Sequence, residues 1–166
     1  MNPDKLNVSA DEVRKRFHYD PDTGAFTRLV RGGTMPPGSR AGTVTKYGYL
    51  VVYMKGANYR VHRLAWLYVH GVWPKHQIDH INGDRLDNRL ANLRDVPQDV
   101  NQQNRRTARR DSLTGLMGAS MARGKYRAII RTAGKCKTIG YFETAESAHA
   151  AYLAAKRRLH PGSTLA

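Results

Sequence analysis

The chain has 166 residues, 40% of them hydrophobic, with 28 Lys and Arg against 13 Asp and Glu and a formal net charge of +15. That length allows one domain or two small ones, and that charge points to a polyanionic partner. One cysteine, Cys136, excludes a disulfide framework and any zinc site built on paired cysteines, and no apolar run approaches the length of a membrane span.

A membrane surface would favour one basic amphipathic helix. Here the basic residues are spread along the chain and interleaved with Tyr, so nucleic acid is the expected partner. MNPDKLNVSADEVRKRF has no apolar stretch, so no secretory signal is expected. Ser9-Ala-Asp-Glu12 predicts a capping box opening a short helix that stops before HYDPDTG, where Asp20-Pro21-Asp22-Thr23-Gly24 is turn chemistry. AFTRLV (25–30) predicts a strand, 31–42 a loop, and GYLVVYM (48–54) a strand; KGAN is then a turn and YRV begins a partner strand. VHRLAWLYVHG (61–71) changes to a helical period, with Leu64, Trp66, Leu67, Tyr68 and Val69 suited to burial and Gly71 to its end. IDHI (78–81) and LRDV (93–96) read as short strands, and Pro97 suits the first position of a helix through QDVNQQNRR.

RRTARRDSLTG (105–115) has four arginines in six residues and no apolar pattern, and a boundary is expected there. GLMGASM, KYRAIIR and KTIGYF read as three short strands, and 143–159 as a helix with Ala148, Tyr152, Ala155 and Leu159 on one face. Residues 116–166 carry nine basic side chains against two acids. Lys156-Arg157-Arg158 complements the dipole at that helix's C-terminus. No internal repeat is visible.

In QIDHINGDRLDNRLANLR (77–94) and just beyond it, five of the chain's 13 acids collect: Asp79, Asp84, Asp87, Asp95 and Asp99. Asn82, Asn88, Asn92, Asn101 and Asn104 lie among or after them. Asp79-His80 supplies a hard anionic oxygen and a base on adjacent strand residues, which leave opposite faces unless the strand twists or ends there. Phosphodiester hydrolysis needs such a base and a cation to neutralise developing charge. A calcium loop starting at Asp79 fails, because Ile81 and Gly83 would stand at its third and fifth positions. Read alone, the Asn residues suit loop caps. His62 suits packing at the start of the buried helix, and Trp66 and Trp73 suit the core.

Residues 79–101, as DH…N…N, resemble the His-Asn-His endonucleases with a ββα-metal core, in the variant with Asn at the last position. YRVHRLAWLYVHGVWPKHQIDHINGDRLDNRLANLRDVPQDVNQQNR is similar to the free-standing, intron-borne and homing members found in bacteriophages, and the resemblance spans roughly residues 10–106. It implies Asp79 and Asn101 as ligands of a divalent metal, Mg2+ or Mn2+ rather than zinc. It implies His80 as general base, Asn92 as the brace that orients it, and products with 3′-hydroxyl and 5′-phosphate ends. A host-cell cytoplasmic location is then expected.

GLMGASMARGKYRAIIRTAGKCKTIGYFETAESAHAAYLAAKRRL resembles an AP2 DNA-binding domain through Gly118, GKY at 124–126, Ile130-Arg131, Gly140-Tyr141-Phe142, Thr144-Ala145-Glu146 and Ala151-Tyr152. That fold lays a three-stranded sheet in the major groove. Arg123, Lys125, Arg127, Arg131 and Lys137 would face DNA, with Arg94, Arg105, Arg106, Arg109 and Arg110 as further contacts. Ala119, Ser120 and Met121 depart from the polar readers of plant members, so no sequence preference carries over.

The expected fold class is α+β: an endonuclease domain over 1–106 with a β-rich lead-in and core 60–106, a basic linker 107–115, and an AP2-like sheet-plus-helix domain over 116–166. The expected function is metal-dependent cleavage of duplex DNA by a monomer or homodimer. The alternatives are a DNA-binding regulator with an inactive nuclease core, and an RNA-binding protein.

Overall fold

The computed structural model describes residues 8–132 and 134–164. The reading of residues 1–7 as lacking an apolar leader lies outside them. The chain divides into two compact units, residues 1–97 and 98–166, and among the described residues no helix is long and apolar enough to cross a membrane.

The first unit opens with α1 (Ala10–Arg16). Its capping box is closed both ways: Glu12 N donates to Ser9 Oγ at 3.2 Å, and Ser9 N donates to Glu12 Oε2 at 3.0 Å. Two of the orphan donors of the first turn are thereby satisfied. β1 (Phe17–Asp20) and β2 (Ala25–Arg28) pair antiparallel, and β3 (Arg40–Ala41) adds to β2. The turn between β1 and β2 is held by Asp20, which accepts from Asp22 N at 2.9 Å and from Thr23 Oγ1 at 2.7 Å.

β4 (Thr43–Val44), β5 (Leu50–Met54) and β6 (Ala57–Arg60) form a second sheet in that order. Lys55-Gly56 joins β5 to β6 with both residues at positive φ, the two-residue hairpin geometry that matches strand twist. α2 (Val61–His70) follows without a gap and ends at Gly71, which is left-handed at φ 75°. It buries Val61, His62, Leu64, Ala65 and Leu67, while Val69 stays exposed. β7 (Gln77–His80) and β8 (Leu93–Val96) complete the unit as an antiparallel pair. The core is aromatic: Phe17, Tyr19, Phe26 and Tyr59 are all buried, with Tyr68 and Trp73 against them. Tyr19 and Phe26, cross-strand partners, meet with centroids 4.8 Å apart and rings tilted by 35°.

The second unit begins with α3 (Gln98–Gln103). The division therefore falls before the expected linker at 107–115. The residues after Pro97 are tied to the C-terminal stretch: Gly162 N donates to Gln103 Oε1 at 3.0 Å, and Thr164 Oγ1 donates to Asn104 Oδ1 at 2.6 Å. β9 (Ala119–Ala122), β10 (Lys125–Thr132) and β11 (Lys135–Phe142) form an antiparallel sheet with β10 central. α4 (Ala145–Leu159) packs on one face of this sheet, capped by Thr144 Oγ1 accepting from Ser147 N at 3.1 Å. The core here is small: Ala119, Ala128 and Ala148, flanked by Leu116, Tyr126, Phe142 and Ala151.

The helical stripe on α4 differs from the expected one at its end. Leu159 is 37% exposed, and Lys156 is 1% exposed. Lys156 lies four residues beyond Tyr152 and so falls on the same face. Its ammonium is satisfied there by donating to Arg105 O at 2.5 Å and by lying 5.9 Å from the Tyr152 ring.

Candidate functional site

β7 and β8 pair with Asp79 opposite Arg94 and His80 opposite Leu93. Asp79 and His80 are both buried, at 6% and 5% exposure. His80 is the last residue of β7, and the chain turns at once, with Gly83 N donating to His80 O at 2.8 Å. The strand thus ends where the sequence required it to end. Asp79 Oδ2 accepts from Arg94 Nε at 2.9 Å and Nη2 at 2.8 Å, a cross-strand ion pair at the register position.

The acids around Asp79 have local work. Asp95 accepts from Lys75 N at 2.7 Å and His76 N at 2.8 Å, fixing the entry to β7. Asp84 Oδ1 accepts from Leu86 N at 2.9 Å. Asp87 accepts from Asn82 Nδ2 at 2.7 Å and pairs with Arg89, whose hydrogen bonds chiefly hold the Asp87 carboxyl down at about 2. These three shape the loop.

Asn92 closes that loop. It ends a 3-10 turn (Leu90–Asn92); its Oδ1 accepts from Asn82 N at 2.9 Å and its Nδ2 donates to Asp87 O at 2.8 Å. The polar side chain facing His80 is Asn88, whose Oδ1 lies 3.5 Å from His80 Nε2. Asn88 is 1% exposed, and its Nδ2 donates to Leu86 O at 2.9 Å, which fixes which end of the amide faces the imidazole.

The lead-in holds Asn88 in turn. Tyr19 Oη donates to Asn88 O at 2.8 Å, and Leu90 N donates to Pro21 O at 3.1 Å. Gly24, at φ +71°, lies so close that a Cβ there would sit 2.5 Å from Arg89 N and from the Asn88 carbonyl carbon. Only glycine permits that approach.

His80 is enclosed by rings. His62, at 3% exposure, meets it edge to face at 5.0 Å, and Tyr49 lies 5.4 Å from His62 and 6.2 Å from His80. Burial pushes the His80 pKa below its ordinary 6.5, opposed by the Asn88 contact and by Asp79, Asp84 and Asp87. Burial, with His80, Arg60 and Arg63 nearby, pushes His62 well below 6.5. Both imidazoles are therefore neutral at pH 7. Asn88, His62 and Tyr49 were not assigned site roles from the sequence. Nothing in the spacing singles Asn88 out from the neighbouring asparagines, and all three roles need the fold.

The remaining candidates are placed as follows. Asn101 sits within α3 in the second unit, and its carbonyl accepts from Asn104 N at 3.1 Å. Arg105 and Arg106 are exposed, Arg106 Nη2 donating to Thr164 Oγ1 at 2.7 Å. Arg109 and Arg110 are exposed. Arg123, at φ 56°, forms the β9–β10 turn with Gly124. Lys125 pairs with Glu143. Arg127 lies opposite Ser120 and Tyr141, and Arg131 opposite Cys136. Lys137, opposite Ile130, is exposed on the edge strand.

Residues 59–103 match the family model of the HNH endonuclease. The matched segment runs from β6 to α3 and contains Asp79, His80, Asn92 and Asn101. The chain is also similar to a solved structure described as "DNA binding and cleavage by the HNH homing endonuclease I-HmuI", with 24% identity and a TM-score of 0.42. The similarity covers 54% of this chain and 51% of that one, so the chain spans about half the length of that structure's chain. No curated protein matches the sequence. Among the described residues no group of three or more His, Cys, Asp or Glu side chains is arranged to hold a metal ion.

Proposed function

We propose that the chain is a metal-dependent endonuclease that hydrolyses phosphodiester bonds of duplex DNA, with His80 as general base. The observation that carries this reading is the setting of His80. It is a buried, neutral imidazole at the end of a strand, faced by Asn88 and adjoining Asp79, inside the segment that matches the HNH endonuclease model.

The chain's own residues supply the base. Asn88 Oδ1 can only accept, so in the proposed mechanism the imidazole faces it with Nε2–H. The imidazole takes a proton from water, and the oxygen attacks phosphorus in line as the bond to the 3′-oxygen breaks. Asn92 keeps the 82–87 loop closed so that Asn88 stays in place.

The metal fit rests on Asp79. Its buried carboxylate already gathers a cation, the Arg94 guanidinium, on Oδ2. It is a hard oxygen donor suited to Mg2+ or Mn2+, and the amide of Asn101 is the proposed second donor. When bound, the ion would neutralise charge on the leaving 3′-oxygen. Few protein donors imply weak binding without nucleic acid, with water and phosphate completing the shell.

The second unit is proposed as an AP2-like duplex-binding module. Its β9–β10–β11–α4 order and its basic surplus support that reading. Two tethered modest binders raise local concentration.

Supercoiled plasmid incubated with Mg2+ or Mn2+ provides the test. Nicked or linear product with the wild type, falling at least a hundredfold with His80→Ala, is the expected outcome. Tight binding with no cut in either metal would favour a DNA-binding regulator instead.

A further inference from the structure

Arg60 and Arg85 come from distant parts of the first unit, yet both guanidiniums lie over one ring, that of Tyr49, at 4.7 and 5.0 Å from its centroid. That ring is also the one beside His62 and His80. Arg85 is further pinned by donating from Nη1 to Tyr47 O at 2.9 Å. Both arginines are exposed.

Among the described residues no carboxylate within ion-pair distance offsets their charge. Arg14, Arg89 and Arg94 each pair with a carboxylate, Asp11, Asp87 and Asp79 respectively. Among the described residues neither Arg60 nor Arg85 forms an ion pair. Arg60 is moreover the N-cap of α2, with no side-chain cap bond and no acidic residue in the first turn. A helix start favours Ser, Asp or Asn and repels cations, so fold stability does not account for arginine there. Two guanidiniums on one ring beside a helix N-terminus make a setting that favours an anion.

We propose that Arg60 and Arg85, stacked on Tyr49, clamp the backbone phosphates next to the scissile bond and so position the strand at His80. The proposal rests on the endonuclease reading for its substrate. Charge complementarity selects a polynucleotide backbone, and planar guanidiniums suit phosphate oxygens. Tyr49 lies just before β5 and before the matched segment 59–103, so the clamp joins a ring outside that segment to two arginines inside it.

Binding of a random-sequence duplex oligonucleotide, followed across a salt series, tests it. The wild type is compared with Arg60→Gln/Arg85→Gln and with Lys15→Gln/Arg31→Gln, a control that removes the same charge from exposed positions elsewhere in the first unit. Each lost phosphate contact lowers the slope of log K against log salt by about 0.9. The clamp variant should lose about two such contacts, each single variant about one, and the control none. Plasmid nicking should fall in the clamp variant with a rise in KM. An unchanged melting temperature verifies the fold. A clamp variant whose slope equals the control's, while the wild type cuts plasmid, overturns the clamp and spares the endonuclease reading. The expected loss of slope in a protein that never cuts supports the clamp as a backbone-binding site and overturns the endonuclease reading.

Discussion

The two units bury polar groups for different ends. In the first, a broad aromatic core of Phe17, Tyr19, Phe26 and Tyr59 surrounds five buried polar side chains: His62, Asp79, His80, Asn88 and Asn92. In the second, a thin core lined by alanines accompanies three, Asn104, Lys156 and His160, and the Lys156 amine serves one backbone carbonyl. The contrast teaches that a site of this kind needs surplus apolar burial elsewhere. Each buried polar group costs free energy unless its partners are in place, and among the described residues the first unit, with the larger apolar core, bears five against three in the second.

The largest break in that contrast should come from Phe26→Ala. Phe26 is 1% exposed and touches the rings of Phe17, Tyr19 and Tyr68. The expected loss is about 3–5 kcal/mol, enough to unfold the first unit and abolish nicking, measured by denaturant titration.

Lys156 sharpens the other side. Burial, with Arg105 and Arg106 nearby, lowers its pKa from 10.5 to about 8. The unfolded chain then holds more protons between those values, so stability rises with pH from about 8 upward. The gain is on the order of 3 kcal/mol at full deprotonation. Above pH 10 the half-buried Tyr152 phenol, whose pKa is raised by burial, works against it. Chemical denaturation from pH 7 to 10 should show the rise, and Lys156→Met should flatten it.

A smaller effect is expected from Gly24→Ala. The new methyl would press on the Asn88–Arg89 backbone from a left-handed residue, costing about 1–3 kcal/mol. Nicking should fall more than melting does, because the pressed segment carries the group facing His80.

Much of the fold was legible. Ser9 and Glu12 bracket a helix start by their spacing alone, and Leu93–Val96 forms where β-branched and apolar residues lie between turn signals. β1 was not legible, because Phe17 and Tyr19 follow a helix directly and only four residues separate it from the turn. Asp79 and His80 stood out through their motif. Asn88 and His62 did not, since facing an imidazole depends on packing between segments that sequence leaves unpaired. Lys156 shows the same limit: a lysine near a helix C-terminus reads as solvated until a carbonyl is found beside it. The pairing of Arg94 with Asp79 follows from hairpin register, which the loop length left undetermined.

The close approach at Gly24 has a consequence for cutting the chain into parts. A fragment trimmed to residues 59–103 would keep the whole recognisable motif yet lose the Tyr19 hydroxyl, the Pro21 carbonyl and the tight turn that together brace positions 88–90. Its imidazole would face a slack loop. The hairpin at 17–28 is thus a splint for the motif, and grafting the motif into another protein calls for carrying the splint along.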